Sequence, residues 1–416
     1  MRSHLSVCII FAAMACGSTA MAADQALIHA RIYASPEAKP IEDGTVLIHD
    51  GLIQHIGPAA SVKVPGGAKI VDVQGAVVTA GFWNSHVHFM PPPLLNADKH
   101  SSAELSPIIM QMLTRWGFTT VFDIASPLKN TLIIRRRVDS GEMPGPAILT
   151  VGDPFFPKNG TPIYVKKFMQ DNGFPDEEIT DLPAAVARVH RQIREGADGV
   201  KLFAGAIVGG KIGVLPMPLD QARALVAAAH ADGKPVFAHP TNLDGLNVAI
   251  DSGVDILAHT TPDGGPWSAE LTSRILAHHM ALIPTLTLFE VELKRDPHSD
   301  EQELKRFMDT AVGQVAAYSK AGGQILFGTD VGYIDTFDTT EEYRQLGRAL
   351  DWRQILTTLT VAPAQRFGYA AHKGRLAPGM DADLVVLQAD PAKDVTAFAK
   401  VRLTIRHGQT LYDAGS

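Results

Sequence analysis

The stretch "GFWNSHVHF", residues 81–89, ends an apolar run on two histidines spaced one residue apart. In a β-strand, residues i and i+2 face the same side, so His86 and His88 point one way and Val87 the other. Such a pair is either half of a metal site or the polar end of a buried strand. The rest of the chain decides between them. Seven further short apolar runs come later: "GFTTVFDIA", "PAILTVGDP", "DGVKLFAGA", "KPVFAHP", "VDILAHTTP", "MALIPTLTLF" and "QILFGTDVG". Between them lie amphipathic segments that end in glycine, such as "LPAAVARVHRQIREG" and "PLDQARALVAAAHADG", with apolar positions at helical spacing. Strands alternating with helices demand a parallel sheet, and eight over about 250 residues predict a closed (β/α)8 TIM barrel, an α/β fold.

Both chain ends have a different texture. "ALIHARIYA", "GTVLIHDGLIQHIG" and "AKIVDVQGAVVTAG" precede the barrel, and "ADLVVLQADP" and "VRLTIRHGQTLYD" come after it. These are β-branched runs punctuated by Gly, Pro and Asp. They predict a small β-sandwich domain from residues 23–80 and 372–416, around a barrel over 81–371. Residues 1–22 read as a signal peptide: "MRSH" is basic, "LSVCIIFAAMA" is apolar, and small residues precede a cut after Ala22 or Ala23. A periplasmic or secreted protein is expected, with no membrane attachment once the leader is removed. Lipidation at Cys16 is the alternative to that cut.

Composition narrows the chemistry. The 416 residues are 46% hydrophobic, and Lys plus Arg (37) against Asp plus Glu (44) gives a net charge of −7. That balance gives no support to nucleic-acid binding, which needs a clustered basic face. Cys8 and Cys16 are the two cysteines, both in the leader, so the mature chain has no thiol for a disulfide, a nucleophile or a metal. A metal must then sit on His, carboxylate or a modified Lys, with zinc the default.

The polar candidates fall at the C-terminal ends of the strands, where barrel enzymes keep their sites. His86 and His88 end strand 1, Lys201 lies in strand 4, His239 ends strand 5, His259 ends strand 6, and Asp330 ends strand 8. Asp330, on the closing strand, can share an ion with His86 and His88, while His239 and His259 can hold a second. Lys201 as an ammonium would repel metals; as a carbamate, formed with carbon dioxide, it would offer two oxygens to bridge them. Each of these residues alone is a weak signal. Their joint occurrence in barrel order is a strong one. The long link after strand 3, "GDPFFPKNGTPIYVKKFMQDNGFPDEEI", is expected to cover the barrel mouth. His100, Asp153, Tyr164 and Lys211 are candidate substrate contacts on such loops.

The order "HVHF … VKLF … FAHP … LAHTTP … GTD" resembles the amidohydrolase superfamily, and within it the imidazolonepropionase-like and prolidase-like branch of metal-dependent hydrolases. "GTVLIHDGLIQHIG" and "GRLAPGMDADLVVLQADP" resemble that family's outer domain, so the likeness spans residues 24–416. It implies His86, His88 and Asp330 at one metal, and His239 and His259 at the other. Carboxylated Lys201 and a hydroxide would bridge the two zinc ions, and Asp330 would act as the catalytic acid/base. It implies hydrolysis of a carbon–nitrogen bond in a small amide or dipeptide-like substrate, and homo-oligomers are common in the family. Asn84 stands where the family often has Asp, and Ala362 where it often has Asn. Two alternatives remain: a mononuclear cyclic amide or amidine hydrolase, and an exported binding protein without catalysis.

Overall fold

The computed structural model describes residues 24–174 and 177–415. The expected leader, with both cysteines, lies outside the described residues. No described helix is long and apolar enough to cross a membrane.

The eight predicted runs all form strands: β1 (Phe82–Val87), β2 (Phe118–Asp123), β3 (Ala147–Thr150), β4 (Val200–Phe203), β5 (Val236–His239), β6 (Ile256–Ala258), β7 (Ala281–Ile283) and β8 (Gln324–Ile325). Parallel ladders join β1 to β2 to β3, and β4 through β8 in order. Two parallel bridges close these arcs into a ring: Phe155 with Leu202 at one seam, Val87 with Val331 at the other. At the second seam Ser85 N donates to Phe327 O (2.7 Å) and Asp330 N to His86 O (2.9 Å). Parallel strands with both faces covered should be apolar throughout, and β2, β4 and β6 are buried along their whole length.

Alternation along the strands sorts two cores. Val87 packs outward into the large core between the strands and the surrounding helices. The barrel interior is filled by a separate cluster that includes Trp83, Phe122, Phe237, Ile256 and Ile283, with Phe367 and Tyr369 packed against it. Phe237 precedes His239 by two residues and faces the same way. The interior is thus a packed stack of apolar layers with the polar layer on top.

The chain ends meet in one eight-stranded sheet. Val77–Ala80 lies at its centre, paired parallel to Gln25–Ile32 and antiparallel to Leu384–Leu387. Gln25–Ile32 forks, pairing along its first half with Lys69–Asp72. The sheet has its own core around Leu27, Val46, Val78 and Leu384. Val77–Ala80 then leads through Gly81 into β1, so the terminal sheet sets where the first histidine strand begins.

Candidate active site

The structure brings His86, His88, Lys201, His239, His259 and Asp330 to the lining of one cavity of about 620 Å³. Asp330 is the hub. Its Oδ1 lies 2.8 Å from His88 Nε2 and 3.2 Å from His86 Nε2, and its Oδ2 lies 3.8 Å from His259 Nε2. The rings of His86 and His259 are 4.9 Å apart, and those of His259 and His239 are 4.6 Å apart. Lys201 pairs in register with Phe237 on the neighbouring strand, two residues before His239. Donor atoms of His86, His259 and Asp330 all fall within 4.8 Å of one another, a spacing that suits one metal ion.

Local backbone explains this convergence. Asp330 sits in "GTDVG" with φ +61°, and His259 has φ +85°, both in the sparsely populated left-handed region. The turn needs the glycines on either side. A Cβ on Gly332 would lie 1.9 Å from His88 O, and one on Gly328 2.8 Å from His86 Cβ. Any side chain there would push the closing segment off the first strand.

The electrostatics favour a cation. Burial pushes His86 down to about 4 and His239 down to about 3, and it drives His259 well below the ordinary histidine value. The rings therefore offer lone pairs at neutral pH. Burial also works to raise Asp330, but the neighbouring His86 and His88 hold it well below the usual carboxylate range. Burial brings Lys201 down to about 7, against the pull of Asp330. Asp330 Oδ1 is buried and, despite those short separations, has no aligned hydrogen-bond donor; His86 Nδ1 and His88 Nδ1 are likewise unpartnered. A buried, ionised carboxylate set among imidazoles is the kind of donor set a divalent metal requires.

Three supporting residues escaped the sequence reading. Asp123, at the end of β2, stands 3.9 Å from His88 Nδ1. It is held by the hydroxyls of Ser126 (2.6 Å), Thr131 (2.7 Å) and Thr150 (3.0 Å). Burial raises its pKa, partly offset by His88 and these hydroxyls. An acid closing a β-branched and aromatic strand, "TTVFD", was the available signal. The second is Thr285. Its hydroxyl donates to Pro284 O (2.9 Å) and lies 2.6 Å from His259 Nδ1. With its own proton committed, the hydroxyl accepts from Nδ1–H, which leaves His259 Nε2 bare toward Asp330. Thr285 achieves this at φ +47°, an outlier for a β-branched residue. The third is Glu342, whose carboxylate accepts from Leu286 N (2.9 Å) and Thr287 N (2.7 Å), the two residues after Thr285. Burial raises Glu342 to about 7, opposed by those amides. No local pattern announces either residue.

Of the four loop candidates, Asp153 and Tyr164 line the cavity; His100 and Lys211 do not. His100 ends a short helical turn, with its ring 3.5 Å from Glu104 and its carbonyl accepting from Arg137. Lys211 is exposed at the tip of a hairpin formed by Gly205–Gly209 and Gly213–Pro216. The link after β3 reaches over the mouth, as expected, but it carries a helix, Ile163–Asp171. That helix sets Tyr164 edge-on to Tyr333 across the opening, ring centroids 5.4 Å apart. Asn84 donates to Thr329 (2.8 Å) and accepts from His86 N (3.2 Å), so it binds the closing strand to the first. Ala362 is buried in the barrel-interior cluster.

A barrel with a buried histidine–aspartate cluster at its C-terminal rim defines a metal-dependent hydrolase. Residues 77–411 match the amidohydrolase family, and the chain belongs to it. A putative prolidase from Bifidobacterium longum superposes with a TM-score of 0.78 at 24% identity, over 94% of this chain and 95% of that one. A Xaa-Pro dipeptidase with methionine in its active site gives 0.78 at 18% identity, over 94% and 100%. A Mycobacterium bovis protein described as uncharacterized is 28% identical, over 85% of this chain and 90% of its own length. The chain is therefore an amidohydrolase-family enzyme with prolidase-like structural neighbours and a His/His/Asp metal-site candidate.

Proposed function

We propose that this enzyme hydrolyses a carbon–nitrogen bond of a small amide using two divalent ions, zinc by default. His86, His88 and Asp330 would hold one ion and His239 and His259 the other, with carboxylated Lys201 as a further oxygen donor. The observation that carries this reading is the convergence on one cavity of six side chains from separate barrel segments, with Asp330 Oδ1 2.8 Å from His88 Nε2. Divalent metals supply two things in such a site: polarisation of a carbonyl, and a lowered pKa for bound water, toward about 7.

The chain's own residues supply the rest. Burial brings Lys201 down to about 7, so near pH 7 about half of it is neutral amine; that amine adds to carbon dioxide, releases a proton to water and becomes a carbamate anion. Asp330, ionised and buried, accepts the proton released when water attacks the amide carbon. It returns that proton to the departing nitrogen. Thr285 keeps His259 in the tautomer that presents Nε2. The helix Ile163–Asp171 shields the centre from bulk water.

The spacing of His86, His259 and Asp330 favours a second reading, a single-ion enzyme in which Lys201 is structural. Metal counting on the purified chain separates the two. In Lys201→Ala the content should fall below two ions per chain, and short carboxylic acids should restore part of the activity. Two tightly held ions in that variant would refute the bridging role. The sequence of residues 1–22 supports an exported setting, which fractionation of the cells that make the protein would test.

A further inference from the structure

The cavity above the cluster is apolar over most of its wall and acidic toward its rim. Phe156 and Phe203 meet edge-on at 4.7 Å on one side, and Phe289 and Phe307 at 5.4 Å on another; all four line the space. Among the described lining residues, Lys201 is the only lysine or arginine, whereas Asp153, Asp263, Glu292 and Asp296 all contribute carboxylates. Two arginines behind the wall are already paired with groups of the wall itself. Arg188 pairs with Glu177 and donates to Pro154 O. Arg295 lies 2.9 Å from Glu292 and 3.7 Å from Asp335. The remaining polar groups on the wall include neutral ones: the phenols of Tyr164 and Tyr333, which burial keeps protonated, and Thr260 Oγ1, buried and without a partner.

We propose that the site takes amides with an aromatic or branched apolar group beside the scissile bond and no free carboxylate, their distal end being neutral or a protonated amine. This rests on the amide-hydrolase reading above. A carboxylate carried into an apolar sleeve needs a cation or a set of aligned donors to offset its lost hydration. Apart from Lys201 at the floor the described lining offers no cationic side chain, and the wall carries carboxylates that repel a second anion. An aryl group instead buries its faces against four phenylalanines, and an ammonium at the rim meets Asp296 and shares Glu292 with Arg295. The dipeptide-like substrate expected from the sequence carries the one group this wall disfavours.

Three probes with the same scissile bond test this on the metal-loaded chain: acetanilide, its 4-carboxy analogue and its 4-aminomethyl analogue. In each, water gives its hydroxyl to the acetyl carbon and a proton to the aniline nitrogen. The carboxy probe should show a kcat/KM lower by about ten-fold or more than the other two. Glu292→Lys, on a partly exposed helical turn, should raise the carboxy probe about five-fold and lower the aminomethyl probe. Equal or better turnover of the carboxy probe, or no response to Glu292→Lys, overturns the proposal and leaves the hydrolase reading intact. If no amide or dipeptide is cleaved, the hydrolase reading falls. Calorimetric affinities of the same three probes then decide the substrate class: weakest binding by the carboxy probe sustains it, and equal or tighter binding sinks it.

Discussion

The two ends of the barrel interior obey opposite rules. Toward the N-terminal ends of the strands the filling is apolar and interlocked: Trp83 stacks with Phe367 at 5.8 Å, and Phe122 and Phe237 meet at 4.8 Å. At the C-terminal rim the side chains are polar, buried and partly unpartnered, and Thr241, His259, Thr285 and Asp330 all have positive φ. Left alone, such a rim would cost stability, since buried polar atoms without partners and strained backbone are both unfavourable. The aromatic layers below offset that cost and hold the strands at fixed separations. The two ends thus divide the labour, one end stabilising and the other reacting.

Substitutions at either end test this division. The largest effect should come from Asp330→Asn, which keeps the shape but loses the charge and the proton acceptor. Turnover should fall by about 10³-fold with the circular-dichroism spectrum unchanged; near-wild-type rates would remove Asp330 from the chemistry. Next is Trp83→Ala, below the site, which should lower unfolding free energy by about 3–5 kcal/mol. If it instead left stability untouched and abolished turnover, the division would be misplaced. Thr285→Val should weaken metal binding by about 10–100-fold, measured by chelator competition, because His259 loses the group that fixes its tautomer. The smallest effect is a slope. Burial raises Glu342 from its ordinary value near 4.5 to about 7, so native protein binds a proton there that unfolded chain has released. Stability from this group is present below pH 4.5 and is lost as pH rises through 7. Glu342→Gln should flatten that part of the stability–pH curve in urea titrations; an unchanged slope would place the proton elsewhere.

The range of each interaction accounts for what the sequence disclosed and what it hid. The strands were legible because β-branched and aromatic residues recur between glycine-ended amphipathic segments. The ligand candidates were legible because the histidines and Asp330 follow the apolar runs and Lys201 interrupts one. Asp123 carries a weaker form of the same signal. Thr285 and Glu342 carry none: one acts on His259 from a different strand end, and the other holds the first through backbone amides 55 and 56 residues away. His100 and Lys211 show the reverse error. Polar loop residues near a barrel mouth are common, and whether one turns inward depends on turns and hairpins that residue type does not encode. The cavity's charge pattern was invisible for a related reason. Glu292 and Asp296 lie on one face of the helix Leu286–Arg295 and its cap, and only the tertiary packing aims that face at the opening.

The seam between the first and last strands has a consequence for how the molecule is made. His86 leaves the ribosome 244 residues ahead of Asp330, and the carboxylate that organises the cluster arrives on the segment that shuts the ring. A nascent chain lacking that segment has imidazoles without their anionic partner. Full metal loading therefore reports that translation has passed residue 330 and that the circle of strands has closed.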